Sequence, residues 1–258
     1  MTSLTNNTVF ITGASSGIGR SCARAFAQAG AKLILVARRK QRLAQLAADL
    51  KKQFHTETFL GELDVRENKA VVKFYKKLPE HWRQIDILVN NAGLSRGLDK
   101  LYEGNIDDWE EMIDTNVKGL LYVSRVVLPG MVERRKGMVI NIGSIAGHET
   151  YPSGNVYCAT KHAVDALTKG MRMDLVDTPI RICTVDPGLV ETEFSEVRFH
   201  GDKARAKKTY QNMVPLTPDD IADVVLFAAT RPPHVQLAEV IIMPTAQAST
   251  TLVHRAQQ

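Results

Sequence analysis

The sequence predicts an α/β protein, a single doubly wound domain with a parallel seven-stranded sheet and helices on both faces. Three observations predict it. Short apolar runs alternate with longer amphipathic ones along the chain. The apolar runs are nearly continuous, as strands buried on two faces require. The connections are mostly short, so each strand–helix–strand step returns to the same sheet in parallel.

The first strand is Val9-Phe10-Ile11, which runs straight into glycines. A helix follows from Ile18 to Ala29 and stops at Gly30. The run from Leu33 to Ala37 is the second strand. From Gln41 to Gln53, Leu43, Leu46, Ala47 and Leu50 recur at helical spacing. The runs from Thr58 to Leu63 and from Ile85 to Val89 are strands three and four. A long helical stretch covers 107–134 and is interrupted around Asn116-Val117-Lys118-Gly119. Strand five runs from Met138 to Ile142, a helix carrying Tyr157 follows, and strand six runs from Ile180 to Val185. A capped helix from Pro218 to Ala229 and a strand from Glu239 to Met243 complete the order.

No linker, repeat or low-complexity tract divides residues 1–258, so they read as one domain. The segment at about 191–214 is polar, poorly periodic and long for a loop, the pattern of a substrate lid.

Composition narrows the classes. Of 258 residues, 44% are hydrophobic and 24% charged, which suits a globular core. No apolar run approaches the roughly 18 residues of a membrane helix. The stretch Met1 to Asn7 lacks the basic and apolar regions of a secretory signal, so a cytoplasmic setting is expected. Cys22, Cys158 and Cys183 have no CxxC spacing and read as reduced thiols, not as a disulfide framework or zinc site. His148, His162 and His200 show no ligand spacing with other donors, so no metal is expected. The net charge is +5, but the basic residues are dispersed and aromatics make up only 6%. This balance suits attraction for small anions, not a nucleic-acid partner.

The first strand leads into Thr12-Gly13-Ala14-Ser15-Ser16-Gly17-Ile18-Gly19. Glycines at 13, 17 and 19 let the backbone turn tightly and approach a ligand. The helix that starts here offers unpaired N–H groups and a positive dipole end, so Gly13, Ser15, Ser16, Gly17, Ile18 and Gly19 form a candidate pyrophosphate cradle. About 20 residues on, NAD sites commonly place an acid against the ribose. That place holds Arg38 and Arg39 with no carboxylate beside them. Guanidinium forks suit a phosphate, so the predicted cofactor is NADP(H) over NAD(H).

Tyr157 and Lys161 are four residues apart, about one turn on one helix face. A phenol ionises near pH 10, and a nearby cation favours the phenolate. Such a phenol can take a proton from an alcohol or return one to a carbonyl. Ser144 stands upstream, just after the fifth strand.

Together these residues resemble the short-chain dehydrogenase/reductase family over nearly the whole chain. The matches are the Thr12-to-Gly19 motif, Asp64-Val65, Asn90-Asn91-Ala92-Gly93, Asn116, Ser144, Tyr157 with Lys161, and Pro187-Gly188-Leu189-Val190-Glu191-Thr192. The resemblance implies a Rossmann-type fold, a nicotinamide cofactor and a catalytic set of Asn116, Ser144, Tyr157 and Lys161. It implies that Asp64 and Val65 flank the adenine, and that Asn91, Ala92 and Gly93 line the adenosine side. Pro187, Gly188, Val190 and Thr192 would hold the nicotinamide end, with Lys161 on its ribose and Asn116 holding a water in a proton relay. It also implies a homotetramer built through 107–134 and 155–176.

Ile85 to Leu94, Met112 to Asn116, Val127 to Arg134, Val197-Arg198-Phe199 and Glu239 to Pro244 are similar to the NADP-dependent 3-hydroxy acid dehydrogenases of this family, which oxidise serine and allo-threonine. His148-Glu149-Thr150 and Arg96 depart from that pattern near the presumed pocket. The implied substrate is a small hydroxy acid of the serine, allo-threonine or 3-hydroxypropionate type. Such an acid needs a cation for its carboxylate, and Arg198 is favoured over Arg96 and Lys203. A broad carbonyl or keto-ester reductase and a non-catalytic NADP(H) sensor remain as alternatives.

Overall fold

A computed structural model describes residues 3–256. Of the N-terminal stretch read for a signal, Met1 and Thr2 lie outside the described residues. Seven strands form one sheet in the order β3-β2-β1-β4-β5-β6-β7. They are β1 Thr8–Thr12, β2 Lys32–Ala37, β3 Thr58–Glu62, β4 Ile87–Asn90, β5 Met138–Ile142, β6 Arg181–Pro187 and β7 Glu239–Ile242. Every neighbouring pair is parallel. β1, β5 and nearly all of β2 and β6 are buried along their length. That is why their sequences are continuous apolar runs without alternation.

The helices divide between the two faces. α1 (Gly17–Gln28), α2 (Lys40–Phe54) and α10 (Pro218–Ala229) cover one face through Cys22, Phe26, Leu43, Leu50, Ile221 and Val225. α3 (Asn68–Lys77), α4 (Glu80–Arg83) and α6 (Leu120–Arg134) cover the other through Val71, Trp82, Val127 and Met131. α5 (Ile106–Ile113) leads into α6 through one π-helical turn, Asp114–Gly119. That turn is the interruption expected at Asn116. α7 (Asn155–Asp174) carries Tyr157. Two short helices, α8 (Phe194–Arg198) and α9 (Lys203–Lys208), lie within the expected lid segment. α10 opens with a reciprocal cap between Thr217 and Asp220 and has Pro218 in its first turn.

The strand order reverses direction at β1 and β4. Loops from the two halves diverge there and leave a crevice at the carboxyl ends of the strands.

Candidate active site

That crevice is a cleft of about 580 Å³. It is lined by Gly13, Ser15, Ser16, Gly17, Ile18, Arg38, Arg39, Asp64, Val65, Asn91, Ala92, Gly93, Ser144, Tyr157, Lys161, Pro187, Gly188, Val190, Thr192 and Arg198. Seven separate stretches of sequence thus meet at one place. Two expected residues do not line it. Gly19 lies beneath the cradle, where an added Cβ would come 2.4 Å from the Asn91 amide and 2.6 Å from the Gly13 carbonyl oxygen. Asn116 is buried, and only 2% of it is exposed.

The cradle is built from β1 outward. Thr12 ends the strand, and its hydroxyl accepts the main-chain N–H groups of Asn91 (3.0 Å) and Ala92 (2.9 Å). The Asn91 side chain donates to the Thr12 carbonyl at 2.9 Å. Its amide therefore braces the glycine loop from behind. Gly13 has φ +66°, and an added Cβ would come 2.8 Å from the Asn91 amide, so glycine is required there. α1 begins with no side-chain cap from Ser16 and no acid in its first turn. Its first N–H groups and positive dipole end are free to take an anion, so the residues fit a dinucleotide pyrophosphate.

At the ribose end, Arg39 donates to the Ser16 hydroxyl at 2.6 Å and to Ser15 at 3.3 Å. Its third contact is the Glu193 carboxylate at 2.8 Å. Arg38 turns instead toward Glu111 at 3.4 Å. Asp64 is held by Arg66, with a closest contact of 2.7 Å. Burial pushes its carboxyl upward, but the hydrogen bonds and charge of Arg66, aided by Arg38, outweigh this and hold it below the usual carboxylate range.

At the other end, Lys161 donates to the Ile142 carbonyl at 2.9 Å. Its ammonium lies 5.9 Å from the centre of the Tyr157 ring. The Arg198 guanidinium is closer, at 5.1 Å, and donates to the Tyr151 hydroxyl at 2.7 Å and to Ser95 at 3.0 Å. The Ser144 hydroxyl accepts from the Ala146 N–H at 3.1 Å and faces the Tyr157 phenol. Of the other anchors considered, Arg96 is tied to Glu111 (2.7 Å) and to the Val197 carbonyl (2.6 Å). Lys203 is exposed and not among the cleft residues.

The electrostatics correct one expectation. Burial, reinforced by Tyr151, pushes the Tyr157 phenol up, and only Arg198 and Ser144 work against it. Lys161 was expected to acidify Tyr157, but it is itself pulled by burial down to about 8, with the Asp186 charge opposing. The sequence showed the spacing of the pair but not that both groups are desolvated.

A lysine whose folded-state value lies below its unfolded one binds fewer protons in the folded state. Stability of the cofactor-free protein therefore rises with pH between about 8 and 10 through this group. Lys161→Met removes that rise, which is on the order of 1–3 kcal/mol. Thermal melts of both proteins across that window measure it, and equal slopes would refute it.

The Asn116 side chain accepts from the Leu94 N–H (2.8 Å) and donates to the Leu94 carbonyl (2.8 Å) and Thr160 (3.0 Å). Both amide N–H groups are taken, while the side-chain oxygen keeps a second lone pair beyond its bond from Leu94. Its main chain lies in the π-helical turn, a feature common at functional sites.

The spacing of His148 in the sequence offers no partner donors. The structure brings it to Asp186 and Glu239, each 3.2 Å from a different ring nitrogen. One donor atom from each of the three lies within 4.8 Å of the others, a grouping that the spacing of the histidines in the sequence does not show. Sequence reasoning also missed Tyr151, Phe194, Glu193 and Arg66. Only Glu193 had a signal, since it follows Thr192 in the motif.

Known proteins with this architecture agree with it. The family model of the short chain dehydrogenases matches residues 7–203. An NADP-dependent 3-hydroxy acid dehydrogenase of Schizosaccharomyces pombe is 47% identical over 258 residues, all of both chains. A protein of the same name from Escherichia coli K12 is 47% identical, covering 96% of this chain and 99% of its own. A closed-form serine dehydrogenase complexed with NADP+ superposes with a TM-score of 0.90 at 45% identity, covering 97% of this chain and 100% of its own. The chain belongs to the short-chain dehydrogenase/reductase family.

Proposed function

We propose that the chain is an NADP-dependent oxidoreductase. It moves a hydride between the nicotinamide and a small hydroxy acid of the serine, allo-threonine or 3-hydroxypropionate type, or its keto product. One observation carries the reading. A single cleft joins an open helix N-terminus and the Arg39 fork at one end to Ser144, Tyr157, Lys161 and Arg198 at the other. The names of the relatives above support the cofactor and the substrate class.

When bound, the nicotinamide supplies the hydride acceptor or donor. In the oxidative direction the carbon–hydrogen bond breaks to give that hydride, and the hydroxyl proton passes to Tyr157. Ser144 hydrogen-bonds the reacting oxygen and steadies its developing charge. At rest, burial keeps Tyr157 a neutral phenol, the form that gives a proton to a carbonyl. Oxidation needs the phenolate, which Arg198 and Ser144 favour. With its value lowered to about 8, Lys161 exchanges protons near neutral pH, as a relay member must. Asn116 would hold a water of the relay, through its main chain in the π-helical turn or the remaining lone pair of its side-chain oxygen. Asp64 and Val65 would flank the adenine, and Pro187, Gly188, Val190 and Thr192 would hold the nicotinamide end.

Arg198 is the carboxylate anchor. It lines the cleft, lies over the Tyr157 and Phe194 rings and donates to the Tyr151 hydroxyl. Arg198→Ala raises KM for a hydroxy acid about tenfold or more, as loss of a charged hydrogen bond does, and changes cofactor affinity little. Steady-state kinetics with serine and 3-hydroxypropionate measure this, and an unchanged KM would place the anchor elsewhere.

We also read residues 1–258 as one working domain with 191–214 as its lid, acting in the cytoplasm. Among the described residues, no helix is long and apolar enough to cross a membrane. A homotetramer fits the exposed Leu121 and Val132 on α6, Met173 at the end of α7 and Val176 just beyond it. Light scattering on the eluting protein tests it.

The deciding experiment follows nucleotide absorbance with both cofactors and a panel of hydroxy acids, alcohols and ketones. Turnover confined to ketones and keto esters would favour a broad reductase. Tight NADPH binding without turnover would favour a sensor.

A further inference from the structure

We propose that Glu193 is a built-in competitor for the 2′-phosphate of NADP(H): its carboxylate fills the guanidinium seat that the phosphate takes, and Arg42 is the second cation of that seat. The inference rests on the cofactor reading above and extends it to two residues outside the expected cofactor set.

Glu193 accepts from two arginines at once. One carboxylate oxygen takes Arg39 at 2.8 Å, and the other takes Arg42 at 2.5 Å. Arg39 is meanwhile aimed by Ser16 and Ser15 of the glycine loop, so the seat adjoins the pyrophosphate cradle. Arg42 stands in the first turn of α2, beside the end of β2 where the ribose is expected. Arg38, the other expected phosphate ligand, is turned away to Glu111. The seat thus holds two guanidinium groups around one anion, and that anion comes from the chain.

Burial pushes the Glu193 carboxyl upward, but hydrogen bonds and charge from Arg39 and Arg42 overcome this and keep it ionised at neutral pH. A carboxylate and a phosphate offer the same fork geometry to a guanidinium. The phosphate monoester carries more negative charge and a third oxygen, so it displaces the carboxylate. A ribose 2′-hydroxyl is neutral and cannot. All three side chains are between 41% and 49% exposed, so water screens the pairing and it can exchange.

Displacement reaches further than affinity. Glu193 is the residue before α8, which carries Arg198. Its salt bridges tie the start of the lid to α2. A 2′-phosphate in the seat frees that end of the lid, whereas NAD(H) leaves it tied. Glu193 therefore lowers NADP(H) affinity in exchange for a lid that responds to the 2′-phosphate.

Calorimetric titration of the full chain with NADP+, NAD+, 2′,5′-ADP and 5′-AMP tests this in wild type, Glu193→Gln and Arg42→Gln, with folding checked by circular dichroism. Removing a screened ion pair that must break on binding gives Glu193→Gln NADP+ and 2′,5′-ADP dissociation constants about three- to tenfold lower, with NAD+ and 5′-AMP within about twofold. Arg42→Gln weakens NADP+ and 2′,5′-ADP and spares the other two. Unchanged or weaker NADP+ binding in Glu193→Gln overturns the competitor, and unchanged NADP+ binding in Arg42→Gln overturns its place in the seat. If wild type fails to prefer 2′,5′-ADP over 5′-AMP, the cofactor reading itself fails, an outcome separate from the other two.

Discussion

Tyr157→Phe lowers kcat/KM by roughly a thousandfold, the scale of a lost general acid–base, and leaves the NADP+ dissociation constant within about twofold. The change removes one oxygen. The ring keeps its edge contact with Phe194 at 5.6 Å between centroids, so packing is preserved. Arg198, Ser144 and Lys161 remain, but the phenol that hands the proton between the reacting oxygen and the relay is gone. The effect falls on kcat because that proton moves only as the reacting bond breaks. Turnover and calorimetry on the same preparation give the result. Activity within tenfold of wild type would mean that another group moves the proton, with Tyr151, bonded to Arg198 at 2.7 Å, the nearest phenol.

Replacing Arg38 and Arg39 with glutamine weakens NADP+ binding by about a hundredfold or more and changes NAD+ binding by less than about threefold, since each charged hydrogen bond to phosphate is worth roughly 1.5–3 kcal/mol. Most of the loss belongs to Arg39, whose fork is held by Ser15 and Ser16. Arg38 contributes less, because it must leave Glu111 to reach a phosphate. Fluorescence titration with both nucleotides measures the split. Equal loss for both would show that the arginines support the loop and do not read the phosphate.

The strands were legible in the sequence because a sheet covered on both faces leaves an unbroken apolar signature, as in Leu33 to Ala37. Boundaries moved by a residue or two. β4 starts at Ile87, although the Asp86 main chain still pairs with Thr8 and Met138 and its carboxylate receives the Thr8 N–H at 2.9 Å. α3 went unseen because Val71 is its only fully buried residue, amid Lys69, Lys73, Lys76 and Lys77. The lid read as loop because α8 and α9 are only five and six residues long.

The site divides along the same line. The glycine motif, the Tyr157–Lys161 spacing and the arginine pair are local, so their chemistry shows in sequence. Glu193 meets Arg42 across 151 positions, and His148 meets Asp186 and Glu239 only once three strands are in register. The proton balance of Tyr157 and Lys161 depends on burial, which no spacing reports.

The segment after β4 and α8 are stitched together. The Gly97 N–H donates to the Arg198 carbonyl at 2.9 Å, and the Arg96 guanidinium grips the Val197 carbonyl at 2.6 Å. These two seams join the strand-four bank to the lid at the catalytic end, so a displacement of α8 drags the 94–98 segment with it and the two swing as a single flap.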